Sequence, residues 1–422
     1  MRKFSLLLLF IFLPIAIFCD PLPLVELVDI ALKNNPETEK AWAGTKRAQA
    51  ILGIEKSNNY PSVDLKGTLS HGREVKFPNG PETIFTNYGA EISLSYLLFD
   101  FGERSASIQA TREALKAVNW SADFSIQKVI YKVVSSYYEY LDAKEILEVK
   151  SDSFKDAELI CESAKELHKA GLRSITDLDA SRAMVAEMQM EIVQQKAKVA
   201  ISYGRLLTSM GLPLKTNLDI QTSPQGIKTQ LFAESLETLI SIAEEQRADL
   251  FAKKSEIASA KERMKKANRA PLPKVRTFGQ GGWFEYAKHQ DSGYNYNAGI
   301  SLDIPLFKGF EYTYKKKLAL AEEESSLAEL KELKDSIVLD VLIYSESAKA
   351  AQESLTLSDA YLEEATKSYE GSLESYKAGL QSVFDLMQMQ RSLTNARMKK
   401  TTAKTLWLIS LAELAFATGS TL

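Results

Sequence analysis

Hydrophobic positions along this chain keep two different periods, and the switch between them happens twice. Leu24, Leu27, Val28, Ala31 and Leu32 recur at helical spacing and predict an amphipathic opening helix. Asn34-Asn35-Pro36 interrupts it, a second helix is predicted from about Glu37 to Ser57, and Asn58-Asn59-Tyr60-Pro61 ends the helical pattern. The period then becomes two. Tyr88, Ala90, Ile92, Leu94, Tyr96 and Leu98 share one face, with Gly89, Glu91, Ser93 and Ser95 on the other. In a preceding partner strand, Val63, Leu65 and Leu69 alternate with Asp64, Lys66, Thr68 and Ser70. A second pair follows far downstream: a less regular run from Val275 to Tyr286, then Tyr294, Tyr296, Ala298, Ile300, Leu302 and Ile304 against Asn295, Asn297, Gly299, Ser301 and Asp303. Polar, glycine-bearing loops (His71 to Thr83, and Ala287 to Gly293) join each pair.

Four strands of about ten residues have the length that crosses a bilayer as a tilted β-strand, and tyrosines at the strand starts suit an interfacial girdle. A soluble four-stranded sheet covered on one face fits the same alternation. Four strands cannot close a barrel, however, and an open edge cannot lie in lipid without stranding its backbone groups. If the strands are in a membrane, several copies must share one barrel, and three copies would supply twelve strands.

Everything else is helical. No glycine or proline falls between about Ser105 and Lys169, and Ile126, Val129, Ile130, Val133, Val134, Tyr137 and Leu141 form a continuous stripe. A helix of that extent is ~100 Å long. Gly171 stops it and a second helix returns from about Thr176 to Met210; helices from about Tyr312 to Lys377 and Phe384 to Phe416, separated by Gly379, repeat the plan. Taken alone, these long antiparallel hairpins would also suit a coiled-coil scaffold.

The repetition is literal. Lys169-Ala170-Gly171-Leu172-x-Ser174 returns as Lys377-Ala378-Gly379-Leu380-x-Ser382, and Leu98-Phe99 with Glu103 as Leu306-Phe307 with Glu311. Upstream, Leu27, Ile30 and Ala31 match Leu239, Ile242 and Ala243, and Pro61, Val63 and Gly67 match Pro273, Val275 and Gly279. The expected organisation is a signal peptide over 1–19 and a first structural repeat over 20–210, with a β-hairpin at about 62–98 and a helical hairpin at about 105–210. An inter-repeat linker covers 211–233, and a second repeat covers 234–422, with a β-hairpin at about 274–306 and a helical hairpin at about 312–418.

Composition adds the compartment. Met1-Arg2-Lys3 and an apolar run from Phe4 to Phe18 read as a secretory signal, and no later stretch is long and apolar enough to span as a helix. Cys19 is either discarded with the signal or lipidated at a new N-terminus; bulky Phe18 favours simple cleavage, leaving Cys161 without a partner. The 52 basic and 55 acidic side chains nearly balance, with no basic block for nucleic acid. His71, His168 and His289 are scattered, two of them in predicted loops. No catalytic, metal-binding or cofactor-binding motif is present, so an enzyme is not expected.

In its opening helix ending Asn34-Asn35-Pro36-Glu37, in Tyr60-Pro61-Ser62-Val63, in Leu94-Ser95-Tyr96-Leu97-Leu98-Phe99-Asp100-Phe101-Gly102, and in the turn from Ala170 to Leu178, the chain resembles the TolC-type outer-membrane efflux protein family. The second-half counterparts of these motifs extend the likeness to essentially the whole mature chain. The resemblance implies a mainly α fold with a small membrane β part: a homotrimer with a shared twelve-stranded outer-membrane barrel continued by a periplasmic α-barrel. Such proteins are passive exit ducts for an inner-membrane pump or secretion ATPase, joined through a periplasmic adaptor. The resemblance also places Gly171, Leu172 and Ser174, with Gly379, Leu380 and Ser382, at a periplasmic tip that meets the adaptor. Asp177, Tyr376 and Asp385 match an entrance gate, Tyr376 being able to bond the residue at Asp177. Gln381 stands where the family can carry a gate arginine, and Gln388 where it can carry a second constriction acid. From the residues alone, the Gly turns are helix terminators, and Ser174-x-x-Asp177 and Ser382-x-x-Asp385 are capping boxes with aspartate in place of glutamate. The competing class is a periplasmic coiled-coil adaptor or scaffold with soluble β elements, set against by two helical hairpins and only two short strand pairs.

Overall fold

A computed structural model describes residues 21–75, 82–222, 234–286 and 291–420; the expected signal peptide and the tips of both β-hairpin loops lie outside these residues. Two short helices open the described chain, α1 (Leu24–Asn34) and α2 (Pro36–Ser57), followed by β1 (Ser62–Val75) and β2 (Glu82–Phe99). Next come α3 (Glu103–Lys169) and α4 (Ile175–Ser209). The plan then repeats: α5 (Leu236–Gln246), α6 (Ala248–Arg269), β3 (Lys274–Tyr286), β4 (Asp291–Asp303), α7 (Glu311–Lys377) and α8 (Val383–Thr418). Helices α3 and α7 have 67 residues each and start and stop at matching positions. At 1.5 Å per residue each is a rod of ~100 Å.

The four strands form one antiparallel sheet in the order β1-β2-β3-β4. Strands β2 and β3 pair across the two halves from Asn87↔Tyr286 down to Phe99↔Val275, so β1 and β4 are left as open edges. Paired rows show the two faces. Leu65, Ile92, Gly281 and Tyr296 lie in one row, and Asp64, Ser93, Gln280 and Asn297 in the next. On the apolar face Leu65, Leu69, Tyr296 and Ile300 are each more than 70% exposed, which is the reverse of a core-facing sheet. No helix covers it.

The strands are longer than the alternation predicted. β2 begins at Glu82, so Tyr88 lies well inside it rather than at its start, and His71 sits in β1 opposite Thr86 rather than in a loop. The physical reason is that ladder bonds join backbone to backbone and continue past the segment whose side chains alternate.

Each strand-to-helix corner takes two successive left-handed residues: Phe101 (φ 53°) and Gly102 (φ 83°) before α3, Gly309 (φ 57°) and Phe310 (φ 66°) before α7. Asp100 fixes the first corner by accepting from the backbone N–H groups of Gly102 (3.1 Å) and Arg104 (2.8 Å).

Along the rods, α2 and α4 lie end to end against α3, and their joint has a definite chemistry. Asn35 caps α2 by accepting from the N–H of Glu37 (2.7 Å) and donates its amide to the last carbonyls of α4, at Ser209 (2.6 Å). One buried side chain thus satisfies both helix ends. At the matching joint of the other half, Arg247 donates to the carbonyl of Ala417 (3.1 Å) and is held by Asp249 through two bonds of 2.6 and 3.1 Å. Apolar belts pack beside both joints, Leu27, Val133, Tyr137 and Leu207 at the first, Leu239, Leu250, Val341 and Leu414 at the second. Residues 211–222, the start of the expected linker, pack back on the first joint, where Leu22 and Ile220 form a short parallel bridge and Tyr137 donates to the carbonyl of Gln221 (2.8 Å).

Gly211 shows how tight the joint is. It has φ 73°, and a methyl there would lie 2.5 Å from the Asn34 carbonyl oxygen and 2.7 Å from Asn35 Cα. Gly171 has φ 71° but nothing within 4 Å of that position. Gly171→Ala is therefore expected to lose only the left-handed penalty of ~1–2 kcal/mol, and Gly211→Ala clearly more, read by thermal or urea denaturation of the purified protein. Equal losses at the two sites would contradict the tight joint.

Candidate functional site

The far end of the rods is formed by the α3–α4 and α7–α8 turns. Both are built by the same hydrogen bonds. The N–H of Leu172 reaches the carbonyl of Leu167 (2.9 Å) and that of Gly171 the carbonyl of His168 (2.9 Å); Leu380 to Ser375 (2.9 Å) and Gly379 to Tyr376 (3.0 Å) repeat them. This six-residue closure needs a left-handed residue, which glycine supplies without strain. The returning helix is then capped. Ser174 Oγ accepts from the Asp177 N–H (3.2 Å) and donates to the Asp177 carboxylate (3.2 Å), while Ser382 does the same for Asp385 (3.2 and 2.7 Å). Aspartate is one methylene short of the usual glutamate, so the carboxylate takes the cap's hydroxyl proton. Leu172 and Leu380 point away from the fold, 70% and 84% exposed. Two large apolar side chains at the outermost point of a rod have no intramolecular use.

Behind the turns, Ala157, Ile160, Met184, Leu386 and Leu393 pack around Tyr369 and Tyr376. Tyr376 is fully buried and its hydroxyl has no hydrogen-bond partner among the described residues. It therefore makes no bond to Asp177, contrary to the expected link. Burial pushes its pKa up, Asp177 pushes it further up and the Arg173 guanidinium opposes both.

Arg173 is the residue the sequence reading missed. Its guanidinium lies over the Tyr376 ring (5.1 Å) and donates to the backbone carbonyl of Gln381, tying one turn to the other. The Gln381 side chain is engaged from the opposite side by Ser372 Oγ (3.0 Å), and His168 Nδ1 bonds the Arg173 carbonyl (3.0 Å). Arg173 and Gln381 occupy matching places in the two turns, so the repeat register already marked the pair. Further along the rods the two hairpins are joined by a buried seam. Thr394 donates to Ser153 Oγ (2.8 Å), Gln390 to the Ser153 carbonyl (3.2 Å), and Arg397 pairs with Asp156 (2.8 Å). Gln388 is exposed on α8. Among the described residues no group of three or more His, Cys, Asp or Glu side chains could hold a metal ion, and no helix is long and apolar enough to cross a membrane.

Comparison with known proteins reaches both halves separately. The profile of the outer membrane efflux protein family matches residues 27–212 and again residues 239–420. Protein CyaE of Bordetella pertussis is 26% identical over 390 residues, covering 90% of this chain and 80% of that protein. Outer membrane protein TolC of Vibrio cholerae is 22% identical over 408 residues, covering 94% and 90%. Among solved structures, the CmeC outer membrane channel of Campylobacter jejuni superposes with a TM-score of 0.83 at 20% identity, over 94% of this chain and 85% of that one.

The unpartnered hydroxyl of Tyr376 gives a direct test of the tip. Tyr376→Phe removes a buried polar group without a bond, so stability should hold or rise slightly. A loss of more than ~1 kcal/mol in chemical denaturation would mean that the hydroxyl is bonded in the folded protein.

Proposed function

We propose that this chain, which belongs to the outer membrane efflux protein family, is the outer-membrane exit duct of a tripartite efflux or type I secretion system. One observation carries the reading: a sheet whose exposed face is apolar and whose two edges are open sits on rods of ~100 Å. In lipid the edge N–H and C=O groups need partners, and the other end of the same sheet provides them. Three copies closing head to tail make a twelve-stranded barrel without an edge.

The helical layer supports the same closure. Each protomer ends in β1, α2 and α4 on one flank and β4 and α7 on the other. Ile51, Ile54, Met190 and Val193 are exposed on the first flank, and Leu318, Leu339, Leu342 and Leu357 are exposed on α7. Packed together, the flanks would continue the barrel as a periplasmic tube. The two repeats, over 20–210 and 234–422 with 211–233 between them, act as successive wall segments. Transport through the tube is passive; an inner-membrane pump or secretion ATPase drives it through a periplasmic adaptor.

The tip residues take two roles in this proposal. Gly171, Leu172 and Ser174, with Gly379, Leu380 and Ser382, shape the knobs that seat the adaptor. Asp177, Tyr376 and Asp385 form the entrance, three copies of each carboxylate around a narrow axis repelling anions and attracting cations. Arg173 joins them as the strap between the turns, in the place where the second repeat carries Gln381.

Purified protein in detergent is expected to run as a heat-sensitive trimer and to form cation-preferring pores in planar bilayers. A monomer soluble without detergent would instead favour the adaptor class. Leu172→Glu with Leu380→Glu should abolish export while trimers persist, and unchanged export would end the docking role. Arg173→Ala or Asp385→Ala should raise single-channel conductance several-fold; unaltered conductance and ion preference would remove those residues from the gate.

A further inference from the structure

The internal repeat can be laid on the structure residue by residue. Ser62↔Ser95 and Val63↔Leu94 in the first hairpin become Lys274↔Asp303 and Val275↔Leu302 in the second. β1 therefore corresponds to β3 at an offset of 212 residues, and β2 to β4 at 208. The helices keep the same offsets, α2 matching α6 at 212, and α3 matching α7 and α4 matching α8 at 208.

One junction between repeats is complete within the chain: β2 pairs with β3, and α3 packs on α6 and α8 of the other repeat. Moving each member by one repeat turns this junction into a second one, β4 with β1 and α7 with α2 and α4. Those elements are the two open flanks, and β1 and β4 lie three strands apart, ~14 Å, in one sheet. Only another copy can complete the second junction. The flanks show what is missing. Ala110, Val134 and Thr401 are buried, whereas the matching Leu318, Leu342 and Val193 are 60%, 40% and 64% exposed.

The transferred ladder has definite partners. Ser95↔Phe278 becomes Asp303 opposite Lys66 of the partner subunit, and Ile92↔Gly281 becomes Ile300 opposite Leu69 of the partner subunit. The faces agree, polar against polar and apolar against apolar, as a one-residue slip would not allow. Lys66 already stands opposite Glu91 of its own chain, so this register seats it between two carboxylates. A two-residue slip would set Asp303 against Thr68 of the partner subunit, or against Asp64 of the partner subunit with like charges opposed. In the helical layer Lys404 of α8 pairs with Glu145 of α3 at 3.0 Å. Their repeat counterparts are Lys196 and Glu353, the same two charges. Both are exposed, and neither has an ion pair among the described residues.

We propose that neighbouring protomers join through a copy of the junction that already joins the two repeats of each chain. Asp303 then faces Lys66 of the partner subunit, and Glu353 pairs with Lys196 of the partner subunit. The inference rests on the trimeric duct reading and fixes its register. A second copy is the occupant because each flank carries the missing half of the other, charge for charge.

The test uses full-length mature protein without its own thiol (Cys161→Ser), carrying Ser301→Cys with Thr68→Cys. The transferred pair Ser93↔Gln280 sets these two positions opposite each other across the junction. A disulfide needs Cα atoms within ~7 Å, so within one chain they cannot link. Oxidation in the membrane is expected to give covalent trimers that survive boiling and revert on reduction. Their yield should exceed that of Ser301→Cys with Lys66→Cys, or with Ser70→Cys, at least ~fivefold. Independently, Lys196→Glu and Glu353→Lys should each lower the fraction of trimer surviving mild heating severalfold. The two together should restore it, while Lys198→Glu with Glu353→Lys should not. In variants that still form heat-sensitive trimers, a covalent yield that is absent or highest for a control pair overturns the strand register. Charge reversals that have no effect, or are not restored together, overturn the helical pairing, and the duct stands in both cases. An unmodified protein that forms no heat-sensitive oligomer overturns the duct and the junction together.

Discussion

A backbone amide in hydrocarbon has nowhere to go except another backbone, and this constraint organises the molecule. The sheet pairs β1, β2, β3 and β4 in sequence order and stops, leaving one edge on each flank. In water such edges are tolerable; in lipid each unpaired group costs several kcal/mol. The exposed apolar face places the sheet in lipid, and the open edges then make one chain an incomplete object. The helices obey the same geometry, because the strands and the rods that follow them lie on the same flanks.

Within the protomer, twofold regularity is kept in the backbone and relaxed in the side chains. The two long helices match end for end, as do both pairs of short helices. At the joints the backbone problem is also the same, a helix end whose carbonyls face the start of another. Asn35 solves it with a neutral amide that accepts and donates, Arg247 with a guanidinium that only donates and therefore needs Asp249. The corners exchange their residues as well, Phe101-Gly102 in one half and Gly309-Phe310 in the other, with both positions left-handed in each. A duplicated scaffold can thus specialise one copy without disturbing the wall. The turns are a further instance, with Arg173 in one half and Gln381 at the matching place in the other.

Much of this was legible in the sequence because it follows from period and punctuation. A period of two against 3.6 separates strand from helix, Gly171 and Gly379 end the long rods, and Ser174 and Ser382 start the returning helices. Local rules sufficed there because the partners of each group are at most a few residues away. The strand lengths were underestimated because ladder pairing does not depend on side-chain alternation. The site was less legible. The turns and caps were visible, but the expected Tyr376–Asp177 bond was not formed, and Arg173 was overlooked.

The sequence by itself determined the elements, their duplication and which face of each strand is apolar, since these depend on residues close together along one strand or helix. Only the tertiary structure decided that β2 pairs with β3 across the two repeats, that Asn35 joins two helices 174 positions apart, and that Arg173 reaches the other turn. Those contacts join groups far apart in the chain, and their partners are chosen by the packing of whole helices, which no local pattern encodes.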